Sequence, residues 1–554
     1  MAKLTTKQFR FRKNHRIGNA DAEHDAAFLE DCFVDAGDLQ VLADCSDPRR
    51  IVLGRTGTGK TALLKRLTAQ YDHVVEIKPE QLALAFLSND SILPHLLDLG
   101  VDLDLFFRLL WRHVFAIELI KERYRIRNEE EKRSFLSNML ARFSTNKRWE
   151  RALRYLDEWS TSFWKDTEYR VREITTTLED QIGNRLEGEL NAKFLRLKGN
   201  HKLGKGLTQE EKRELCEHAQ QIVNNIQMRD LFEIEDLLRD ELLDDPQYRI
   251  YLTIDRLDEN WIADRFRYRL IRALIEAIRG YLKIKNAKVI IALRRDLVER
   301  VIRETRDAGF QEEKYTDLYL SLNWSDASLL DILDRRINKL IREAYTKRPV
   351  GRGDLLPAKV DGMVIDEFLV SRTHKRPRDI ILFFNRCIEC SVEMAGGNPQ
   401  VTVSLLREAD AKHSRDRLRS LGDEWASLFP RLLDSIDLLK NRPARFRLQE
   451  IETQRIEELA LQLCTSQVNK ESVIRDKAQE VVEGRTIARE FGIYLVTVWC
   501  QVGLIGAKTD SFERTRWAFD GRAFLASTQI NDNVSIEIHP MFYRILGTKP
   551  QASV

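Results

Sequence analysis

Arg49-Arg50-Ile51-Val52-Leu53-Gly54-Arg55-Thr56-Gly57-Thr58-Gly59-Lys60-Thr61-Ala62-Leu63-Leu64 is the stretch that decides how the chain reads. From Gly54 to Thr61 it spells G-x-x-x-x-G-K-[ST]. The apolar run Ile51-Val52-Leu53 before it predicts a buried strand, and Ala62-Leu63-Leu64-Lys65-Arg66-Leu67 after it predicts the opening of a helix. Strand, Gly-rich turn and helix, in that order, make a cradle for phosphate. Gly54, Gly57 and Gly59 accept positive φ and let the backbone approach a ligand closely. The N–H groups of Arg55, Thr56, Thr58 and the glycines then converge on phosphate oxygens at the positive end of the helix. In that chemistry Lys60 reaches the β- and γ-phosphates and the Thr61 hydroxyl binds Mg²⁺. An ordinary glycine-rich connection would leave the complete motif and both its flanks unexplained.

A second stretch supplies the acid. Tyr248-Arg249-Ile250-Tyr251-Leu252-Thr253-Ile254 reads as a strand that ends in Asp255, with Asp258 and Glu259 just beyond. A strand-terminal aspartate downstream of a phosphate loop holds Mg²⁺, directly or through water. A neighbouring carboxylate polarises the attacking water. Arg256 stands where a second acid would ordinarily follow Asp255, so the water-activating role falls on Glu259 or Asp258, with Glu259 preferred. A third strand, Ala287–Leu293, ends in Arg294-Arg295-Asp296. Arg294 or Arg295 there is placed to sense the γ-phosphate or a neighbour's nucleotide; a plain ion pair with Asp296 or Glu299 accounts for it equally well.

Around these motifs the chain divides into regions. Residues 1–17 form a basic lead-in with Phe9 and Phe11 between the charges, either a solvated segment or a nucleic-acid arm. Asp21–Ala43 reads as largely helical. Residues 18–345 form the nucleotide core, with a second strand at Val74–Ile77 and another near Leu318–Leu322. A helical insertion at about 81–245 contains Leu103–Arg125 and several charged helices. Ser325 caps a helix to Tyr345. Residues 346–445 form a helical lid and connector, in which Arg376-Pro377-Arg378 open a helix; the arginines offer phosphate contacts from the lid side or are equally well surface charges. Residues 446–554 read as a winged-helix-like module: an apolar helix at Phe491–Val502, then Arg514–Phe519 and Val534–His539 as paired strands.

With 554 residues the chain needs two or three domains. It has 90 basic and 87 acidic residues, a net charge of +3, so any nucleic-acid surface must be a local patch. Seven cysteines without framework spacing imply reduced thiols and a cytoplasmic protein. Cys387-x-x-Cys390 lies in a helical stretch and reads as core packing rather than half of a zinc site. The N-terminus has no apolar signal core, and no apolar run reaches membrane-spanning length.

Strand, Gly54–Thr61, Asp255 to Glu259, the arginine-tipped strand and Arg376-Pro377-Arg378 resemble a AAA-type or STAND-type P-loop ATPase with a helical lid, in an order similar to origin-recognition-like ATPases. More closely, Ile254-Asp255-Arg256-Leu257-Asp258-Glu259-Asn260-Trp261, Ala292-Leu293-Arg294-Arg295-Asp296-Leu297 and Gly309-Phe310-Gln311-Glu312-Glu313-Lys314-Tyr315 resemble bacterial FunZ-like P-loop ATPases. The resemblance covers residues 17 to about 400. It implies ATP as the nucleotide, Mg²⁺ as cofactor, a nucleotide-dependent switch or motor, and a setting such as phage defence. A protein partner or self-association would receive the signal, and DNA is open as a partner. Arg256 favours the alternative of a scaffold with little turnover; the C-terminal module favours that of a DNA-binding regulator.

Overall fold

The structure, a computed structural model, describes residues 9–80, 103–143, 155, 157, 225–259, 261–305, 312–344, 349–465, 472–510, 512–520 and 525–548. It has two compact units. One comprises Gly37–Arg55 and Leu63–Leu320; the other comprises Met1–Ala36, Thr56–Ala62 and Ser321–Val554. Among the described residues, no helix is long and apolar enough to cross a membrane.

The first unit is built on a five-stranded sheet of β1 (Ile51–Gly54), β2 (Val74–Glu76), β3 (Ile250–Ile254), β4 (Ala287–Arg294) and β5 (Tyr319–Ser321), in the order β2-β3-β4-β1-β5. The pairings β2/β3, β3/β4 and β1/β4 are parallel. β3 is buried at every position and β4 at all but its last, which is why both read as unbroken apolar runs rather than alternating ones. Helices Asp104–Tyr124 and Asp264–Gly280 pack against each other; the Trp111 indole donates to the Leu270 carbonyl at 2.9 Å. Of the expected helical insertion, Asp104–Tyr124, Glu129–Phe143 and Asn225–Leu237 are helices. The other charged helices expected in the insertion fall on residues 144–224, which, apart from 155 and 157, lie outside the described residues.

Lys288 and Arg50, 0% and 1% exposed, are buried in the sheet unit. Lys288 Nζ donates to the carbonyls of Val41 and Asp44 at 2.8 and 2.7 Å, and Arg50 donates to those of Ala287 and Cys45. Lys288 and the Tyr251 hydroxyl, which donates to the Ala43 carbonyl, satisfy acceptors at the end of the short helix Asp38–Ala43. Burial, then the nearby Arg50 charge, lowers the Lys288 pKa from 10.5 to about 8. The unfolded chain therefore holds that proton to higher pH than the folded chain, and stability contributed at this site rises between about pH 8 and 10.5. Urea unfolding at pH 7.5 and 10 should show wild type gaining about 2 kcal/mol relative to Lys288→Met. An unchanged difference between the two proteins would refute the assignment.

The second unit holds two cores. One joins Phe9, Phe11 and Ile17 to helices Asp326–Ala344, Pro377–Ala395 and Val403–Trp425. Phe9 and Phe11 are 2% and 3% exposed, and the Phe11 N–H donates to the Gly397 carbonyl at 2.8 Å. Residues 9–17, read as a basic lead-in, are thus fastened to the helical domain by the aromatics set among their charges. Cys387 and Cys390 are fully buried in this core, as their helical spacing suggested.

The other core belongs to residues 418–546. Strand β8 (Arg445–Arg447) precedes helices Thr453–Thr465, Val473–Val482 and Ala488–Val502; β9 (Ile505–Lys508) and β10 (Ser535–Ile538) follow. Two two-residue strands, β6 (Lys359–Val360) and β7 (Met363–Val364), lie earlier in this unit. β10 lies between β8 and β9, antiparallel to both. The strand expected over Arg514–Phe519 reduces to one bridge, Ala507 to Arg516. Asp520 accepts the Trp517 N–H at 3.1 Å and turns the chain there, while Ile505–Lys508 takes the place beside β10. Asp21–Ala43, expected as largely helical, is three short pieces: Ala22–His24, Ala26–Cys32 and Asp38–Ala43. Gly37, at φ 96°, begins the last piece after an extended link.

Candidate functional site

β1 delivers the chain to the glycine loop. Beyond Gly54 the loop runs to helix Lys60–Gln70, with Gly57 at φ 81° and Gly59 at φ 98°. Gly57 is required twice over. Its φ is one that side chains rarely adopt, and a Cβ there would lie 2.6 Å from the Arg378 Cβ. Within the helical unit, three consecutive loop carbonyls accept hydrogen bonds. Arg376 Nη1 donates to Thr56 at 2.8 Å, the Arg378 N–H to Gly57 at 3.4 Å, and the Trp324 indole N–H to Thr58 at 2.8 Å. In a trans peptide the N–H of residue i+1 points opposite to the carbonyl of residue i. Holding these carbonyls outward therefore turns the N–H groups of Gly57, Thr58 and Gly59 to the inner side of the loop.

Arg376 and Arg378 differ in their surroundings. Arg376 is 3% exposed; its guanidinium meets Asp379 at 2.8 Å and Glu424 at 3.1 Å. It is a neutralised brace for the loop. Arg378 donates from Nε to the Ala20 carbonyl at 3.0 Å, and among the described residues no carboxylate stands at ion-pair distance from it. Burial first, then the adjacent Arg376 charge, lowers the Arg378 pKa.

The acidic half lies along the C-terminal edge of the sheet. Gly54 of β1 is in register with Arg294 of β4, and Ile254 of β3 with Ile291, so Asp255 leaves the sheet at the same edge. Asp255 Oδ1 accepts the Arg256 N–H at 2.8 Å. Arg256 takes a left-handed φ of 59°, and the Glu259 N–H returns to its carbonyl at 3.1 Å, closing a tight turn. Such a conformation in a non-glycine residue stores strain of the kind found at functional loops. Arg267 holds the Glu259 carbonyl at 3.0 Å, while the Glu259 side chain lies 3.9 Å from Arg256 Nε. Arg294 forks onto Asp296 at 3.0 and 2.8 Å and reaches Asp258 at 3.4 Å. Arg300 pairs with Asp264 and stacks over Tyr268.

The sheet unit thus gathers Gly54, Arg55, Asp255, Asp258, Glu259 and Arg294, and the helical unit gathers Thr56, Gly57, Thr58, Gly59, Lys60, Thr61, Arg376 and Arg378. Among the described residues no group of three or more His, Cys, Asp or Glu forms a metal cage. Sequence reading missed Trp324, Arg267, and the acids Asp379 and Glu424 that neutralise Arg376, while the ion pair it offered for Arg294 with Asp296 is present. The only signal at Trp324 is a large aromatic in the short polar link Asn323-Trp324-Ser325.

Comparison with known proteins adds a domain and distant relatives. Residues 327–422 match the model of the FunZ-associated C-terminal helical domain. The chain is 23% identical over 551 residues to the "Putative transposon gamma-delta 80.3 kDa protein" of Escherichia coli strain K12, a match covering 96% of this chain and 67% of that protein. Among solved structures it aligns with the Walker-type ATPase PABY2304 of Pyrococcus abyssi at 14% identity and a TM-score of 0.35, covering 94% and 97% of the two chains. It aligns with the ORC2 protein of Aeropyrum pernix, an ADPNP–ADP complex, at 12% identity and a TM-score of 0.30, covering 96% and 93%. The fold assignment rests on the strand order and registers above. With the glycine loop leaving β1 and a FunZ-type helical domain at residues 327–422, the chain is a P-loop protein that resembles the FunZ-like P-loop ATPases.

Proposed function

We propose that this chain binds ATP with Mg²⁺ and hydrolyses it, and that its helical domain reads the nucleotide state. The observation that carries this reading is the grip on the carbonyls of Thr56, Gly57 and Thr58, which aims the loop N–H groups inward. Lys60 neutralises the β- and γ-phosphates from the loop. Thr61 and Asp255 supply one hydroxyl and one carboxylate to Mg²⁺, a sparse donor set that suits an ion retaining several waters and phosphate oxygens. When bound, Mg²⁺ supplies neutralisation of charge on the phosphates. Glu259 orients and deprotonates the attacking water, with Asp258 as the alternative. Arg294 senses the γ-phosphate at the strand tip. Arg378, half-buried and with no carboxylate at ion-pair distance among the described residues, gains from a phosphate beside it, while Arg376 acts through the loop backbone.

The test is equilibrium binding of Mg-ATP and phosphate release by the full chain, with Mg-GTP in parallel. Lys60→Ala should weaken ATP binding about tenfold or more, since it removes charge-assisted bonds to phosphate. Wild-type protein that binds neither nucleotide would sink the proposal. ATP bound without phosphate release would favour the scaffold reading, whose supporting observation is Arg256 beside Glu259.

The C-terminal module, winged-helix-like in its order of strand, three helices and two strands, favours a protein partner or self-association over DNA. Arg489, the one basic residue of helix Ala488–Val502, is tied to Asp532 and to the carbonyls of Leu448 and Ile451. A role in phage defence or in a DNA-linked process inside the cell rests on the FunZ-like resemblance. Turnover raised by added double-stranded DNA would make the module a DNA reader instead.

A further inference from the structure

Of the donors that meet the carbonyls of Thr56, Gly57 and Thr58, one comes from a residue outside every motif. Trp324 lies between β5 and helix Asp326–Ala344, and its indole N–H meets the Thr58 carbonyl at 2.8 Å. The benzenoid edge of the same ring lies against Gly59: a Cβ there would be 3.7 Å from Trp324 Cζ2. Gly59 itself has φ 98°. The Thr58–Gly59 peptide is therefore followed by a residue with the conformational freedom to let that peptide rotate. The indole opposes this rotation. It is a rigid donor with no acceptor function, so it can hold the carbonyl in one orientation only.

We infer that Trp324 is a positioning residue for nucleotide binding, fixing the Thr58–Gly59 peptide so that the Gly59 N–H faces the bound phosphates. This rests on the reading of Gly54–Thr61 as the ATP loop. Trp324 stands two residues before helix Asp326–Ala344, whose body falls within the FunZ-associated domain at 327–422. A peptide rotation at Thr58–Gly59 is thereby felt at the first turn of that domain, and a shift of the helix is felt at the loop. Arg376 and Arg378 enter the same domain from helix Pro377–Ala395 and the residue before it. Trp324 adds a second attachment, just ahead of a different helix.

The test uses the full chain, Mg²⁺ with a fluorescent ATP analogue carrying an N-methylanthraniloyl group, and Trp324→Phe. Phenylalanine keeps an aromatic ring near Gly59 and removes the N–H. The expected result is a five- to tenfold loss of nucleotide affinity, the effect of one hydrogen bond at a binding loop. Melting of the nucleotide-free protein should move little, and the stabilisation conferred by saturating Mg-ATP should shrink at a fixed nucleotide concentration. The change in intrinsic tryptophan emission on adding Mg-ATP should be largely lost in the variant. Affinity within twofold of wild type, with the same emission change, would overturn the inference. A wild-type chain that melts cooperatively yet binds no nucleotide would instead remove the reading on which the inference rests, and the inference with it.

Discussion

Arg376→Ala is expected to destabilise the helical unit by about 3–5 kcal/mol, the cost of leaving buried charge without its partner. Arg376 faces two acids at once. Asp379 is completely buried and Glu424 is screened from solvent, and the guanidinium meets them at 2.8 and 3.1 Å. Arg417 reaches the other Asp379 oxygen at 3.3 Å, and the His374 N–H donates at 3.0 Å. Burial on its own would raise the Asp379 pKa, but the Arg376 and Arg417 charges outweigh it and hold the carboxyl far below the usual carboxylate range. Alanine removes the larger of those opposing charges. The stabilisation from a depressed carboxyl is present above its unfolded pKa near 4 and is lost as pH falls below that value. The deficit of the variant should accordingly be full at pH 7 and shrink towards pH 3, where its Asp379 takes a proton. Thermal melting followed at both pH values reads the effect, with a drop at pH 7 on the order of 10 °C. Arg376→Lys, which restores a charge without the fork, should fall between. A melting temperature for Arg376→Ala within about 2 °C of wild type at pH 7, a shift smaller than 1 kcal/mol, would mean that the buried pair is not a net support of the fold.

That prediction also shows where sequence reading succeeds and where it stops. The turn from β1 into helix Lys60–Gln70 was legible because its residue types carry it: an apolar run for the strand, and Gly57 and Gly59 for positive φ. β3 and β4 were legible because a strand buried on both faces must be apolar throughout, and the acidic or basic residue at its end marks where it leaves the core. Helix Pro377–Ala395 announced its start through Pro377 at the first turn. What holds these pieces together was not legible. The bond from Trp324 to Thr58 spans 266 positions and that from Arg376 to Thr56 spans 320, and neither has a local signature. The sequence leaves Arg376 open between a phosphate contact and a surface charge; its acids, Asp379 and Glu424, become visible only when helices Pro377–Ala395 and Val403–Trp425 are packed together. The Arg514–Phe519 strand failed for a related reason. Its residue pattern suits a strand, but the neighbour beside β10 was chosen by the chain that leaves helix Ala488–Val502 directly at β9.

The geometry around Glu259 allows an equally strong prediction about chemistry. Glu259→Gln should leave Mg-ATP affinity within about threefold of wild type and lower phosphate release about 10²–10⁴-fold, the range that a positioned general base contributes. The substitution is a clean one because the backbone at this residue is fixed independently of its side chain. The Glu259 N–H is held by the Arg256 carbonyl at 3.1 Å, and its own carbonyl by Arg267 at 3.0 Å. Glutamine keeps the shape and removes only the basicity. Asp258→Asn is the companion experiment, because Asp258 is the other carboxylate of the turn and lies 3.4 Å from Arg294. Its loss should act mainly by changing how Arg294 is held, with a smaller fall in turnover than for Glu259→Gln. Near-normal hydrolysis by Glu259→Gln together with its abolition in Asp258→Asn would transfer the base to Asp258. Normal hydrolysis by both variants would show that the water is not activated from this turn at all. Arg256 then gives the result its direction. Its guanidinium lies beside the Glu259 carboxylate, so an enzyme in which Glu259 is the base must release that carboxylate before it can turn over, and Arg256→Ala should raise basal phosphate release in the same assay.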